Sequence, residues 1–419
     1  MSHAASHPSV TLAPENITLA PSRVGTLSMG LLAGGAAGLA VTVFGGLANI
    51  QHAMGAALMG LIIILSLSLG SLFFVMAFHL TAAGWSVTIR RQLENMMMMM
   101  PACFGFFAVF AAIEIFSGGI LMSWRDPSVA AAESYMLHHK EPYLNVSFLL
   151  VRTLLYFAIW TYLARRMWNF SREQDRTGDK WLTNKARFHS SYGMLLFALS
   201  VAFFSFDWLK ALSDFRFFST MWGVYFFAGS IFATVPALVI ILALLKRAGV
   251  LKDAVNEEHL HDLGKFCFAF TVFWGYIAFS QYFLIWYSNI PEETAFYVAR
   301  RSPPWEGLTI ALCVGHFLLP FFILLWRQVR RSATLLALVG VYMLAMHTLD
   351  IYWIIRPAIA FVPGSANEHV MPTIWLDAAG IIGVVGIYAG LLVRQITKSP
   401  LVPLNDPRMG EALAHKNYV

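Results

Sequence analysis

With 419 residues, 58% of them hydrophobic and 12% charged, the chain falls well below the roughly 25% charged content of soluble domains and reads as an integral membrane protein. Its three cysteines, Cys103, Cys267 and Cys313, stand far apart in apolar surroundings. That excludes a CxxC pair, a CxxCH haem attachment and a thiolate cradle for an iron–sulfur centre. The formal net charge of +6 does not point to nucleic acid; in a membrane protein the informative question is on which side the basic residues lie.

Residues 1–24 form a polar tail rich in Ser, Pro and His. It lacks a basic n-region, and Arg23 comes just before the first apolar run, so no cleaved signal peptide is evident; Met1 to about Pro21 is expected to be exposed or bound to a partner. Residues 25–395 are expected to form one all-α membrane domain. Ten stretches approach the roughly 20 apolar residues that a bilayer core demands: 25–47, 56–84, 96–122, 145–166, 189–206, 217–245, 266–289, 306–326, 333–355 and 372–394. Residues 396–419 form a second tail. Both tails and the even-numbered inter-span loops together hold 21 Lys and Arg, the other loops 7, and Arg152 lies within a span. This bias places both termini in the cytoplasm, with the Arg165–Arg187 loop as the main anchor, where its charges set topology and attract anionic lipid.

Several local features refine this reading. The Met96–Met100 run at the entry to the third span is adaptable packing material, with no soft-metal context to make it a thioether site. Gly34-Gly35, Gly45-Gly46 and Gly118-Gly119 are expected to permit close helix approach. No internal repeat stands out. In the seventh span Tyr276, Ser280 and Tyr287 share one helix face, and Trp274, Gln281 and Ser288 share another, so at least one face should look into protein or water. Arg300-Arg301 and Glu292-Glu293 read as a solvated loop surface on the outer side, suited to docking a periplasmic partner.

Ionisable groups at bilayer depth cost at least about 2.5–3.5 kcal/mol each near the centre and by default mark pathways or pairs. They are His79, Glu114, Arg152, Asp207, Lys210, His316, His347, Asp350 and Asp377. Counting from the loops puts Glu114, Arg152, His347, Asp350 and Asp377 in the outer half of the membrane, with Asp207 and Lys210 at its outer edge. His79 falls in the inner half and His316 near mid-depth. Glu114 should be paired, with Arg152 as one partner, or protonated, in a proton-transfer or pairing role or in structural hydrogen bonding. Asp207 and Lys210, one turn apart, suit an interfacial ion pair. His347 and Asp350, three apart, fall on one helix face, and Tyr342 does not extend the pair. The blander readings stand beside these: a hydrogen-bonded core histidine for His79 or His316, and an interhelix network for His347 and Asp350. His316 and His347 on adjacent spans could ligate a b-type haem, but nothing else supports one. No metal site is expected.

Three segments carry a family resemblance. Phe266–Thr294 looks like the seventh membrane helix of the polysulfide-reductase-like (NrfD-type) subunits of bacterial alternative complex III. Phe206-Asp207-Trp208-Leu209 with Phe218-Ser219-Thr220-Met221-Trp222-Gly223-Val224-Tyr225 resembles the family's join between helices five and six. Trp305–Arg327 with Pro320-Phe321-Phe322 resembles helix eight. The likeness spans most of residues 25–395 and is nearest the second, smaller of the two such subunits (ActF-like); Lys210 departs from it, standing where an apolar residue is expected.

The resemblance implies two four-helix bundles, helices 2–5 and 6–9, flanked by helices 1 and 10, in a bacterial inner membrane. It implies a subunit without a redox centre of its own. Such a subunit sits beside a homologous NrfD-type membrane subunit, an iron–sulfur subunit and multihaem cytochromes in a quinol:electron-acceptor oxidoreductase, and serves proton transfer or quinol binding. On that reading the proton route runs through an outer cluster (Glu114, Arg152, His347, Asp350, Asp377) and an inner set (His79, His316), with Tyr276 and Gln281 bridging. Two other readings stand: a secondary transporter, and a purely structural scaffold.

Overall fold

The computed structural model describes residues 12–417 apart from 126, 128–130, 132–133, 214–216, 218 and 360–373. Phe218 of the aromatic join and the first residues of the tenth span lie outside that set. Among the described residues there is no strand, and ten helical segments are long and apolar enough to cross a membrane. The helices are α1 (Pro21–Ala48), α2 (Ile50–Leu80), α3 (Val87–Met97), α4 (Met100–Phe116), α5 (Val146–Thr177), α6 (Trp181–Ser205), α7 (Trp222–Arg247), α8 (Glu257–Ser288), the short α9 (Pro291–Arg301), α10 (Glu306–Leu325), α11 (Ala333–Ile359) and α12 (Ile374–Ile396).

Helices α2 and α7 form the centre. Both are apolar all round, the pattern of a helix enclosed by others, and 89% and 83% of their most apolar stretches are buried. Around them α3–α4, α5 and α6 make one group and α8, α10 and α11 another. Helices α1 and α12 pair with each other and lie together along α2. They flank the other helices together, on one side of the molecule. Their contact is a stripe of glycines: a Cβ on Gly383 would come 2.7 Å from the Leu39 nitrogen, and one on Gly38 would come 2.8 Å from the Ala379 carbonyl oxygen. The expected close approach holds for Gly35, whereas Gly34 faces open space.

Gly118 and Gly119 do something else. With φ of +85° and +92° they adopt the left-handed backbone that only glycine tolerates easily. They end α4 and fold residues 120–125 back against it.

The third span begins earlier than predicted. Gly84–Phe116 crosses in two pieces, α3 and α4, interrupted at Met98–Met99. The methionines fill this break: Met96, Met97, Met99 and Met100 are all buried. In consequence Arg90 and Arg91, predicted to lie in a loop, sit within the protein.

The described ends of the chain lie on one face. The Asn16 carbonyl accepts the Leu251 amide at 2.8 Å, the Ile17 carbonyl accepts the Leu401 amide at 2.7 Å, and Asn256 donates to the His415 carbonyl at 3.0 Å. The described part of the N-terminal tail is therefore seated on its own chain, with Ile17 and Leu19 buried.

Replacing Gly383 by Val should force α1 and α12 apart at a backbone contact. Overpacking of this kind costs about 1–3 kcal/mol, so thermal unfolding in detergent should shift downward, while Gly34→Ala, which meets open space, leaves it unchanged.

Candidate functional site

Among the described residues, five separate clusters of buried polar groups stand out, and the central one differs in kind from the rest. It is built where α2, α7, α8, α10 and α11 meet. Residues Leu312–Leu318 of α10 form a wider π-type turn, a local irregularity frequent at functional sites. It carries His316 into the interior. There the imidazole is stacked between Phe232 (ring centroids 4.0 Å apart) and Trp274 (3.7 Å). From α11, His347 and Asp350 reach the same point, and the three residues offer ligand-type atoms that all lie within 4.8 Å of one another. All three are essentially inaccessible, at 0%, 1% and 1% exposure.

Their partners come from neighbouring helices. The Tyr225 hydroxyl of α7 donates to one Asp350 oxygen, and the Trp274 indole of α8 donates to the other at 3.2 Å. Ser66 of α2 contacts His347 Nε2 at 2.9 Å while donating its own proton to the Ile63 carbonyl at 2.8 Å. With its hydroxyl hydrogen so used, Ser66 acts as acceptor. Nε2 therefore carries the imidazole proton and Nδ1 the free lone pair. His347 Nδ1 and both nitrogens of His316 have no hydrogen-bond partner. Buried polar atoms left in this state are rare and call for an explanation.

Beside this cluster opens a cavity of about 760 Å³ between α8, α9 and α10. Tyr225 and Trp274 belong both to its inner wall and to the cluster. Much of the remainder is apolar, and Phe279, Ile310 and Leu318 on its lining are exposed at the protein surface. Arg300, Tyr297 and Trp353 supply polar groups at the end nearest α9. Arg300 is buried. It donates to the carbonyls of Trp353 (3.0 Å), Phe296 (2.9 Å) and Ile354 (2.8 Å), with its guanidinium 3.5 Å from the Phe296 ring centroid. Burial lowers its pKa to about 9 and pushes the Tyr297 phenol up to about 12. Arg300 is thus a wall of the cavity and not the solvated loop residue predicted, although its neighbour Arg301 is exposed.

The other clusters pair their charges with opposite charges or main-chain donors, although Asp377 Oδ2, Arg356 Nε and Arg91 Nε have no hydrogen-bond partner. Arg152 binds Asp207 through two hydrogen bonds of 2.9 Å, and Tyr156 adds a third at 2.8 Å. The Asp207 partner is therefore Arg152; Lys210 lies half-buried one turn on. Glu114 does not meet Arg152. Its carboxylate accepts the amides of Leu121 (2.9 Å) and Met122 (2.9 Å) in the segment that Gly118 and Gly119 fold back, while Arg125 donates to the carbonyls of Glu114 and Ile115. Asp377, in the first turn of α12, pairs with Arg356 of α11 and with His52 Nε2 at 3.1 Å.

At the face that carries the described chain ends, Arg90 joins Glu94 (3.1 Å) and Asp406 (2.6 Å). Arg91 joins Asp175 (2.6 Å), and Ser171 donates to Glu94 at 2.8 Å. His79 lies here, within electrostatic reach of Arg90 and Asp406. Burial alone would raise the Asp406 pKa, but Arg90 outweighs it and holds the carboxyl below its ordinary value.

The predicted outer cluster is thus four groups, not one. The structure brings together His347, Asp350 and His316, which sequence counting had divided between outer and inner sets. Gln281 is buried, donates to Tyr297 (3.0 Å) and accepts from Ser219 (2.9 Å). Tyr276 is 65% exposed on the cavity lining and makes no bridge between the clusters. Sequence reasoning missed Tyr225, Arg300, Arg356 and the Arg90–Glu94 network. The i,i+4 spacing of Arg90 and Glu94 was a signal available for the last.

No protein-family model matches the chain, and no curated protein matches it.

Two outcomes follow. Arg152→Met leaves Asp207 buried without its cation and should cost about 3–5 kcal/mol, most of it recovered when Asp207→Leu is added; thermal unfolding of the purified protein reads both. Asp406, with its pKa depressed on folding, contributes stability above the ordinary Asp value of about 3.9 and loses it as the pH falls through the lower folded value. Proteolysis of residues 397–417 should therefore accelerate only below about pH 4 in the native protein, and already at neutral pH in Asp406→Asn.

Proposed function

We propose that this chain is a membrane subunit of a quinol:electron-acceptor oxidoreductase, of the NrfD-type class in alternative complex III. It would take quinol into the cavity between α8 and α10 and pass its protons to the His316–His347–Asp350 cluster. The observation that carries this reading is the shared wall: Tyr225 and Trp274 line the cavity and hydrogen-bond Asp350. A mainly apolar chamber with a few convergent polar groups suits an amphipathic ring. Oxidation of quinol to quinone releases two electrons and two protons. On this reading the electrons go to haem or iron–sulfur centres of partner subunits; three cysteines far apart in the sequence do not make an iron–sulfur ligand set. The protons need a base within hydrogen-bond reach, and the Tyr225–Asp350 pair with the free lone pairs of His347 and His316 offers a chain of acceptors leading away from the cavity.

The charge distribution supports a cytoplasmic location for both termini in a bacterial inner membrane. Of the counted basic residues, Arg90 and Arg91 on one side and Arg300 and Arg356 on the other are buried. Removing them leaves 19 (21 less two) against 5 (7 less two), a stronger bias towards the terminal face. Against the transporter reading, no internal repeat stands out in the sequence of the kind on which many transporter folds are built. The partners in this proposal are a homologous membrane subunit, an iron–sulfur subunit and multihaem cytochromes.

In the intact complex, Asp350→Asn should lower quinol turnover and the accompanying proton release at least tenfold. Glu114→Gln, which touches only a folded-back loop, should alter thermal stability and leave turnover in place. Full turnover and full proton release with Asp350→Asn would leave the chain only a scaffold role.

A further inference from the structure

We propose that His316, His347 and Asp350 form a binding site for a divalent transition-metal ion of the zinc type, which competes there with the proton. The cluster meets the requirements of such a site one by one. Two imidazole nitrogens and a carboxylate oxygen are a ligand set found around zinc, whereas magnesium and calcium take oxygen ligands. The three atoms lie within 4.8 Å of one another. An ion with bonds of about 2.0–2.2 Å would draw them about 1 Å closer.

The lone pairs are available. Ser66 holds the proton of His347 on Nε2 and so leaves Nδ1 as an unpartnered acceptor, the role an outer hydrogen bond plays for a metal-bound histidine. His316 has no hydrogen bond at either nitrogen. Phe232 and Trp274 cover both faces of its ring, which leaves its in-plane nitrogens as the groups able to bind anything.

Gly229 of α7 packs against this spot: a Cβ there would come 3.3 Å from His347 Cε1, 3.6 Å from Nδ1 and 3.8 Å from Asp350 Oδ2. A side chain at this position would crowd the side on which the free nitrogen and the carboxylate lie, and glycine keeps it uncrowded. Access runs past Tyr225 and Trp274 from the cavity. Asp350 supplies one negative charge to the ion, and its two present partners are neutral donors.

Binding of the metal stands apart from the function proposed above; its consequence, loss of proton acceptance, rests on that reading. The test uses the full-length protein purified in detergent in its complex, titrated with Zn²⁺ and with Co²⁺ as a spectroscopic substitute. One ion per chain is expected, with visible Co²⁺ bands typical of a low-coordinate nitrogen–oxygen site. Affinity should fall at least 100-fold in His316→Gln and in His347→Gln, and about 10–100-fold in Ser66→Ala. Gly229→Val should reduce it by crowding that side, and each variant's thermal unfolding checks that it is folded.

Absence of stoichiometric binding to the native protein overturns the proposal, as does binding unchanged in the two histidine variants. Binding that leaves quinol turnover intact supports the metal site and removes the proton-acceptor reading. Absent binding with turnover lost in Asp350→Asn does the reverse.

Discussion

Everything near the centre of this protein depends on how closely α2 and α7 cross. At Gly70 a Cβ would come 2.7 Å from the Ser230 carbonyl oxygen, and Thr234 donates to the Leu67 carbonyl at 3.3 Å across the same contact. Small residues let helix backbones approach in a membrane, where no hydrophobic force separates lipid from apolar side chain and packing must hold helices together. One turn before Gly70 on α2 stands Ser66. One residue before Ser230 on α7 stands Gly229, and one turn before that Tyr225. The tight crossing therefore sets the serine that orients His347, the glycine beside its free nitrogen, and the phenol that binds Asp350.

The buried charges obey two different rules. Asp207, Glu114 and the Arg90–Glu94–Asp406 group have their oxygens occupied by guanidinium, amide or hydroxyl donors, and Asp377 pairs one oxygen with Arg356. In an apolar interior this is the condition for tolerating them, because a charge or dipole without a partner is costly to bury. These clusters fasten helices to loops and tails. At the central cluster, three imidazole nitrogens lack any partner. Acceptors held open next to a cavity are chemically available in a way the satisfied groups are not, which is why function is sought there.

How much could be read beforehand varies from residue to residue. His347 and Asp350 were legible as a pair because three residues along a helix fixes a common face. That His316 joins them was not, since depth counted along α10 ignores the π-type turn that redirects it. Arg90 and Arg91 looked like loop residues because hydropathy falls across 84–97; the segment is helical and buried because Glu94, Asp175, Asp406 and the C-terminal segment close around it. Gly118-Gly119 had the composition of a packing motif, and only backbone angles reveal a turn. Structural hydrogen bonding was an open reading for Glu114, but its partners could not be named because main-chain amides carry no sequence signature.

By itself the sequence determined ten membrane-crossing helices and an all-α fold, because the length and apolarity of a span are local properties that the thickness of a bilayer enforces. It also determined which helix faces carry polar groups, through the fixed period of the helix. Which of those groups meet was decided only in three dimensions. Partner choice for Arg152, Glu114, His316 and Arg300 depends on helix crossings, on a turn inside α10 and on loops that fold back, and each of these is set by packing among segments far apart in the chain.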